Sequence, residues 1–151
     1  MQFFNELVNN TLIMVTALAW LAAQTLKVIL HLAVTGKLSP ERFIGSGGTP
    51  SAHSATVCAL TTATYLEYGA SGFEFAVSLL LALVVMQDAM VVRRETGIQA
   101  RLLNHIIIVL KNHQKHQVVE HNELKELIGH TPFQVFAGAV LGIITALLYL
   151  S

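Results

Sequence analysis

The sequence has few charged side chains, and this scarcity indicates its class. Only 12% of the residues are Asp, Glu, Lys or Arg, whereas soluble domains carry about a quarter. The nine basic and nine acidic side chains cancel, so the chain lacks the net positive charge of a nucleic-acid-binding protein. Its one cysteine, Cys58, excludes an internal disulfide. The N-terminus MQFFNEL has no basic region, so we expect no cleavable signal peptide.

Apolar residues are abundant instead, at 54% of the chain, and they come in long runs. A helix needs about 20 residues to cross the ~30 Å hydrocarbon layer of a bilayer. Four runs of the sequence are candidates for such spans, whereas the stretch at 99–110 has too short an apolar core and predicts an amphipathic or partly inserted helix. The expected fold class is therefore all-α, a polytopic membrane bundle of about four spanning helices plus one amphipathic helix, in a single domain over residues 1–151. The four predicted spans are 11–34, 50–68, 73–92 and 132–150.

The distribution of basic residues predicts an orientation in the membrane. With four spans, the loop at 35–49, the segment 93–131 and the start of the last span share one face. Every Lys and Arg except Lys27 then lies on that face, which the positive-inside rule makes cytoplasmic. We therefore expect a multi-pass protein of the cell (inner) membrane. If 99–110 crossed the bilayer as well, His53 and His130 would lie on opposite faces.

The stretch GSGGTPSAHSATV, ahead of the second span, has the features of an anion site. Thr49 is a favourable N-cap and is followed by proline, which suits the first helical position. The glycines ending at Gly48 allow close backbone approach, and the first-turn N–H groups near Ser51 and Ala52 point toward the loop with the positive end of the helix dipole. His53 lies within reach of an anion bound there. A capped helix with a polar residue at the interface is the alternative.

A similar arrangement precedes the last span in GHTPFQVFAG, where His130 comes directly before a second Thr-Pro step. Charged side chains also lie in or near the predicted spans, at Lys27, Asp88, Arg93 and Arg94. Charges at that depth are costly, and they usually pair or serve a functional pathway. Arginine matches phosphate oxygens with two parallel hydrogen bonds. A structural ion pair between Asp88 and one arginine remains open as the alternative.

Two further patterns have simpler interpretations. Gly138 and Gly142, four residues apart in the last span, predict close helix packing. His113, His116 and His121 have spacings like those of metal ligands, but no cysteine or carboxylate arrangement completes a zinc site. A solvated polar face explains these histidines, so we expect no metal.

The histidine motifs resemble those of the type 2 phosphatidic acid phosphatase and vanadium haloperoxidase superfamily. GGTPSAHS resembles its second signature, Pro-Ser-Gly-His, and GHTPFQVFAG resembles its third, often written HxPxDVxxG. The match is best with the divergent, short membrane branch, which also carries DAxxVRRxxGxQAxxLN, here DAMVVRRETGIQARLLN at 88–104, and LKELIGHTP at 124–132. The resemblance covers most of the chain, from about residue 24 to residue 142.

The resemblance implies phosphoryl transfer by histidine without a metal or other cofactor, with vanadate acting as a phosphate mimic. His130 would be the nucleophile, His53 the general acid and Gln134 the group that orients His130. The phosphate-binding residues would be Ser51, Ala52, Gly48, Lys27, Arg93 and Arg94. Asp88 and Asn104 would support them.

Two positions depart from the superfamily pattern. The aspartate expected four residues after the nucleophile is Gln134, a neutral amide that orients an imidazole but cannot stabilise imidazolium by charge. The arginine expected six residues before His130 is Leu124, so Arg93 or Arg94 would have to replace it. The first signature corresponds only to QTLKVI, which contains Lys27.

The expected function is that of a phosphoric monoester hydrolase acting on a lipid phosphate or isoprenyl pyrophosphate. The expected partners are this lipid substrate and the bilayer, with no nucleic acid, and association into a homo-oligomer stays open. The alternative is a non-catalytic lipid-phosphate binding or transport protein, which Gln134 favours. The two hypotheses differ in whether bound lipid releases inorganic phosphate.

Overall fold

The computed structural model of the chain describes residues 1–36, 48–113, 124 and 130–151. The described residues are mostly helical and contain no β-strand. A π-helical turn at Asp88–Val92 joins two of the helices, so the backbone is helical without a break from residue 73 to residue 113. The helices are α1 (Gln2–Val8), α2 (Thr11–Thr35), α3 (Ala52–Tyr68), α4 (Phe73–Gln87), α5 (Arg93–His113) and α6 (Pro132–Leu150).

Three of the described helices are long and apolar enough to cross a membrane. They are Thr11–Thr35, the continuous helix Phe73–Val109 and Pro132–Leu150. The predicted second span corresponds to α3, which has 17 residues and a length of about 25 Å. It is thus shorter than a full span, but it packs against α2, α4 and α6 and forms the centre of the bundle. The structure confirms the predicted helical membrane bundle.

The core of the bundle is made of small side chains, whereas the large apolar ones face outward. Alanines dominate the buried clusters, and the outer surfaces of α2, α4 and α6 carry exposed Leu, Ile, Val and Phe side chains. In water this arrangement would expose a large apolar surface, but in lipid it is the expected one. Small residues at helix contacts let backbones approach closely, which favours association inside a bilayer.

The closest of these contacts joins α3 to α6, which run parallel. A Cβ atom on Gly138 would overlap the Ser51 carbonyl oxygen, and one on Gly142 would overlap the carbonyl oxygen of Ala55. Ala146, four residues after Gly142, lies on the same face of α6 and is buried in one cluster with residues of α3. The spacing of four residues thus sets α6 backbone against α3 backbone, as the small-residue pattern predicts.

The start of α3 differs from the prediction. Thr49 was expected to cap the helix with Pro50 as its first residue, but the N-cap is Ser51 and the helix begins at Ala52. The Ser51 Oγ accepts a hydrogen bond from the Ser54 N–H at 3.4 Å. Serine and threonine are both good caps, so the local sequence did not distinguish the two positions.

The amphipathic helix predicted at 99–110 lies within α5, but it is not a separate element. It continues α4 through the π turn, where hydrogen bonds span one residue more than in an α-helix. Sequence periodicity gives no signal for such an insertion, because the helical pattern resumes on both sides of it. The third predicted span, 73–92, corresponds to α4 together with the π turn.

Candidate functional site

The N-termini of α3 and α6 lie side by side and are joined by a backbone hydrogen bond. The Ser51 N–H donates to the carbonyl oxygen of Gln134 at 3.0 Å. Each terminus directs its first-turn N–H groups and the positive end of its dipole to the same end of the bundle. Two aligned helix N-termini create a positive potential there, which favours an anion.

His130 is held by its backbone before α6 begins. Its N–H donates to the carbonyl oxygen of Ala89, inside the π turn, at 3.0 Å. The changed hydrogen-bond register of a π turn makes a carbonyl group available to a partner outside the helix. His130 is buried, with 4% of its surface exposed. The π turn therefore anchors the segment that carries this imidazole.

The structure brings the two predicted histidines together. His53, the second residue of α3, is half-buried, and its ring centroid lies 6.0 Å from that of His130, with the ring planes inclined by 61°. A nucleophile approaches its target to about 3–3.5 Å, and a general acid acts across a hydrogen bond of about 2.6–3.2 Å. The spacing of the rings is therefore of the size that lets both contact one phosphoryl group.

Gln134 orients the His130 ring and defines its tautomer. The Oε1 atom of Gln134 accepts a hydrogen bond from the Thr131 N–H at 3.0 Å and lies 3.2 Å from His130 Nδ1. Because the backbone N–H requires an acceptor, the amide oxygen must face this side, and Nδ1 must then be the donor. The lone pair of the neutral ring lies on Nε2, where a nucleophile would use it.

The same glutamine also caps α6. The Gln134 N–H donates to Thr131 Oγ1 at 3.3 Å, which together with the bond from the Thr131 N–H completes a capping box. One side chain therefore stabilises the helix start and holds the imidazole. Thr131 is the N-cap and Pro132 the first helical residue, as the second Thr-Pro step predicts.

Lys27 is buried at the end of the bundle where α3 begins. Only 4% of its surface is exposed, and its Nζ donates to the Oε1 of Gln24 at 2.9 Å. Ala23, one turn earlier in α2, packs in one cluster with Ala52 at the start of α3. This packing places the Lys27 ammonium on the same side of the bundle as the two helix N-termini, where it adds positive charge.

The residues predicted to bind phosphate differ in what they can offer. Ser51 is fully buried, and its polar groups form hydrogen bonds within the protein. Its N–H donates to the Gln134 carbonyl oxygen, and its Oγ also accepts a hydrogen bond from Ser54 Oγ at 3.1 Å. Ala52, the first residue of α3, contributes an N–H with no acceptor in its own helix. Gly48 has a φ of 91°, a conformation that favours glycine.

Three of the predicted charged residues lie in the π turn and at the start of α5. Asp88 is the first residue of the π turn and is half-buried, while Arg94 is exposed. The side chain of Arg93 lies outside the described part of the structure. The roles predicted for these three residues therefore stay predictions.

Asn104 bonds to the backbone of Leu124 through its side chain. Its Nδ2 donates to the Leu124 carbonyl oxygen at 2.9 Å, and its Oδ1 accepts from the Leu124 N–H at 3.1 Å. The amide thus satisfies both backbone groups of Leu124, six residues before His130. The supporting role predicted for Asn104 at the phosphate site stays a prediction.

Two contributors to the site escaped the sequence analysis. Gln24 accepts a hydrogen bond from Lys27. In the sequence it could have been found as a polar amide one turn before a charged residue inside an apolar run. Ala89 contributes only its carbonyl group, which no side-chain pattern can reveal. Of the histidines with metal-like spacing, His116 and His121 lie outside the described residues. Within the described ranges no group of three His, Cys, Asp or Glu side chains is placed to hold a metal ion.

Comparison with known proteins identifies relatives over almost the whole chain. A family model described as the Divergent PAP2 family matches residues 8–145. The chain is 37% identical over 150 residues to the membrane protein YuiD of Bacillus subtilis (strain 168), an alignment that covers 94% of this chain and 95% of that protein. No solved structure matches.

Proposed function

This chain belongs to the Divergent PAP2 family, and from that premise we propose that it is a membrane-embedded phosphatase of lipid phosphates or isoprenyl pyrophosphates. The observation that supports the proposal most directly is the 6.0 Å separation of the His53 and His130 rings. These rings come from helix starts that are 77 residues apart, counted as 130 − 53, and they meet at an end of the bundle rich in positive potential. That end suits a phosphate whose hydrocarbon tail stays in the bilayer.

The proposed reaction proceeds in two steps. Nε2 of His130 attacks phosphorus, the bond from phosphorus to the lipid oxygen breaks, and protonated His53 donates its proton to that oxygen. Water then attacks the phosphohistidine, the phosphorus–nitrogen bond breaks, and His53 accepts a proton from the water. Inorganic phosphate leaves, and His130 returns to its starting state.

The other groups of the site would stabilise the charge that develops on phosphorus. The Ala52 N–H, the dipole ends of α3 and α6, and the Lys27 ammonium would act on the equatorial oxygens. Gln134 would keep Nδ1 protonated throughout. As a neutral acceptor, it would stabilise the positive ring of the intermediate less than a carboxylate would.

Gln134 is also the observation that favours a second candidate function. A protein that only binds or transports lipid phosphate needs the anion cradle and no ion-paired imidazolium. The capping box explains the position of this glutamine without any chemistry. The second candidate predicts binding without release of phosphate.

The test is release of inorganic phosphate from phosphatidate, phosphatidylglycerophosphate and isoprenyl pyrophosphates by the purified protein. We expect His130→Ala and His53→Ala each to abolish release, and His105→Ala, a change at an exposed histidine of α5, to leave it intact. With phenyl phosphates that have good leaving groups, His53→Ala should recover part of its rate, because such groups need no proton. His130→Ala should recover none.

The two candidate functions give different results. Under the phosphatase proposal, acid-labile phosphate is trapped on wild-type protein during turnover and is absent from His130→Ala. If the wild-type protein binds these lipids and releases no phosphate from any of them, the binding function is the correct one.

A further inference from the structure

An apolar groove runs between α2 and α3 on the outside of the bundle. It has a volume of about 500 Å³, and its surface is almost wholly apolar. Trp20 and Ile13 line it and are nearly half exposed, so the groove opens laterally toward the hydrocarbon layer. The lining residues are Leu12, Ile13, Thr16, Ala17 and Trp20 of α2, with Thr56 and Leu60 of α3.

The two threonines of the groove do not make it polar. The Thr56 hydroxyl donates to the carbonyl oxygen of Ala52 at 2.7 Å, and the Thr16 hydroxyl donates to that of Leu12. Both hydroxyls are thus used within their own helices. A ligand in the groove would meet methyl and methylene groups and the Trp20 indole, which suit a hydrocarbon and offer little to a polar headgroup.

The groove follows the face of α3 that bears His53. Thr56 and Leu60 follow His53 by three and seven residues, and helix positions with these spacings share one face. Leu60 therefore lies about 10 Å along α3 from His53, at 1.5 Å per residue. On α2, which runs antiparallel to α3, the lining extends about 12 Å from Trp20 to Leu12, beginning alongside Thr56 and leading away from the site. The groove thus leads away from the His53 end of this face of α3 into the apolar layer.

From this alignment we propose that the groove holds the hydrocarbon tail of the lipid whose phosphate lies at His53 and His130. The inference rests on the proposed function and adds to it the place where the hydrocarbon chain binds, which would select a lipid with a long chain over water-soluble phosphate esters. The tail must leave the phosphate toward the bilayer interior, and this apolar path starts on the face of α3 that bears His53.

Filling the groove tests the proposal through substrate selectivity. In Leu60→Trp the indole should exclude the chain and lower kcat/KM for long-chain phosphatidate by about ten-fold or more, the effect of one or two methylene groups in an apolar pocket. It should leave kcat/KM for phenyl phosphate unchanged. Leu18→Trp is the matched control, because Leu18 is exposed on the opposite flank of α2. An equal loss on both substrates, or no loss on phosphatidate, would overturn the proposal.

A second measurement separates this proposal from the question of catalysis. Phosphatidate with a photoreactive group in the middle of one chain is cross-linked to wild-type protein and to His130→Ala, neither of which needs to turn over. We expect labels on residues 12–20 and 56–60, displaced by unlabelled phosphatidate and not by phosphatidylcholine. Labelling elsewhere, or labelling that phosphatidylcholine displaces equally, would show ordinary bilayer lipid and overturn the inference. Specific labelling without phosphate release would support the groove and refute the phosphatase.

Discussion

Replacement of Gly138 by alanine should disturb the site more than any other single methyl group added to α6. The new Cβ would overlap the Ser51 carbonyl oxygen and lie 3.0 Å from Ser54 Cβ and 3.1 Å from the Ser51 carbonyl carbon, whereas ordinary contact begins at 3.4 Å. Two of these three atoms are backbone atoms of the α3 cap, which cannot turn aside as a flexible side chain can. The start of α3 must therefore move away from α6.

The expected cost combines two opposing terms. Overpacking a close contact costs typically about 1–3 kcal/mol, and a clash with backbone belongs in the upper half of that range. Alanine in place of glycine inside a helix offsets about 1 kcal/mol of this through its propensity. The net loss of stability should be about 1–2 kcal/mol. A misplacement of about 1 Å between reacting groups can cost on the order of 100-fold in rate, so activity should fall further than stability.

The assay compares the thermal unfolding midpoint in detergent with phosphate release from phosphatidate. Gly138→Ala should lower Tm by a few degrees and strongly reduce the rate. Gly142→Ala, which clashes with Ala55 one turn farther from the histidines, should lower Tm similarly with a smaller loss of rate. Val140→Ile adds one carbon on the exposed side of the same helix and should change neither quantity. Wild-type stability in both glycine variants would refute the backbone contact between α3 and α6.

Three further changes test the groups around the histidines. Gln134→Glu keeps the length of the side chain and adds a negative charge. Because a charged acceptor strengthens the hydrogen bond to His130 by about 1 kcal/mol, phosphate release should rise roughly five- to ten-fold. An unchanged rate would contradict the role assigned to this position. Asn104→Ala removes both hydrogen bonds to Leu124, and hydrogen exchange at the Leu124 amide should accelerate on the order of ten-fold or more. Unaltered exchange would show that the contact does not protect the Leu124 amide. Lys27→Met should weaken vanadate inhibition by about ten-fold. Tm should be maintained or rise, because a buried charge is replaced by an apolar chain. Unweakened inhibition would place Lys27 outside the anion site.

Much of the fold could be predicted from local pattern. The last helix has the predicted bounds, and α2 ends one residue beyond the predicted run, at Thr35. Hydropathy suffices here because a bilayer demands long apolar helices whatever their neighbours are. The Gly138 and Gly142 spacing also predicted close packing, although not the helix against which they pack.

Local pattern failed where a long-range contact chooses between similar alternatives. Thr49 and Ser51 are both acceptable caps, and Ser51 is the one whose N–H reaches Gln134 of another helix. The π turn escaped prediction because the Ala89 carbonyl group within it bonds to His130, which lies far along the chain. Neither choice has a signature within one helical turn of sequence.

The amino-acid order alone therefore established a membrane protein with two helix starts that each bear a histidine, because hydropathy and capping are properties of short segments. It did not establish that His53 and His130 would meet. Their 6.0 Å separation depends on the register between α3 and α6, which Gly138 and Gly142 define by admitting backbone to backbone. Register is a relation between two surfaces, so it arises only when the helices pack.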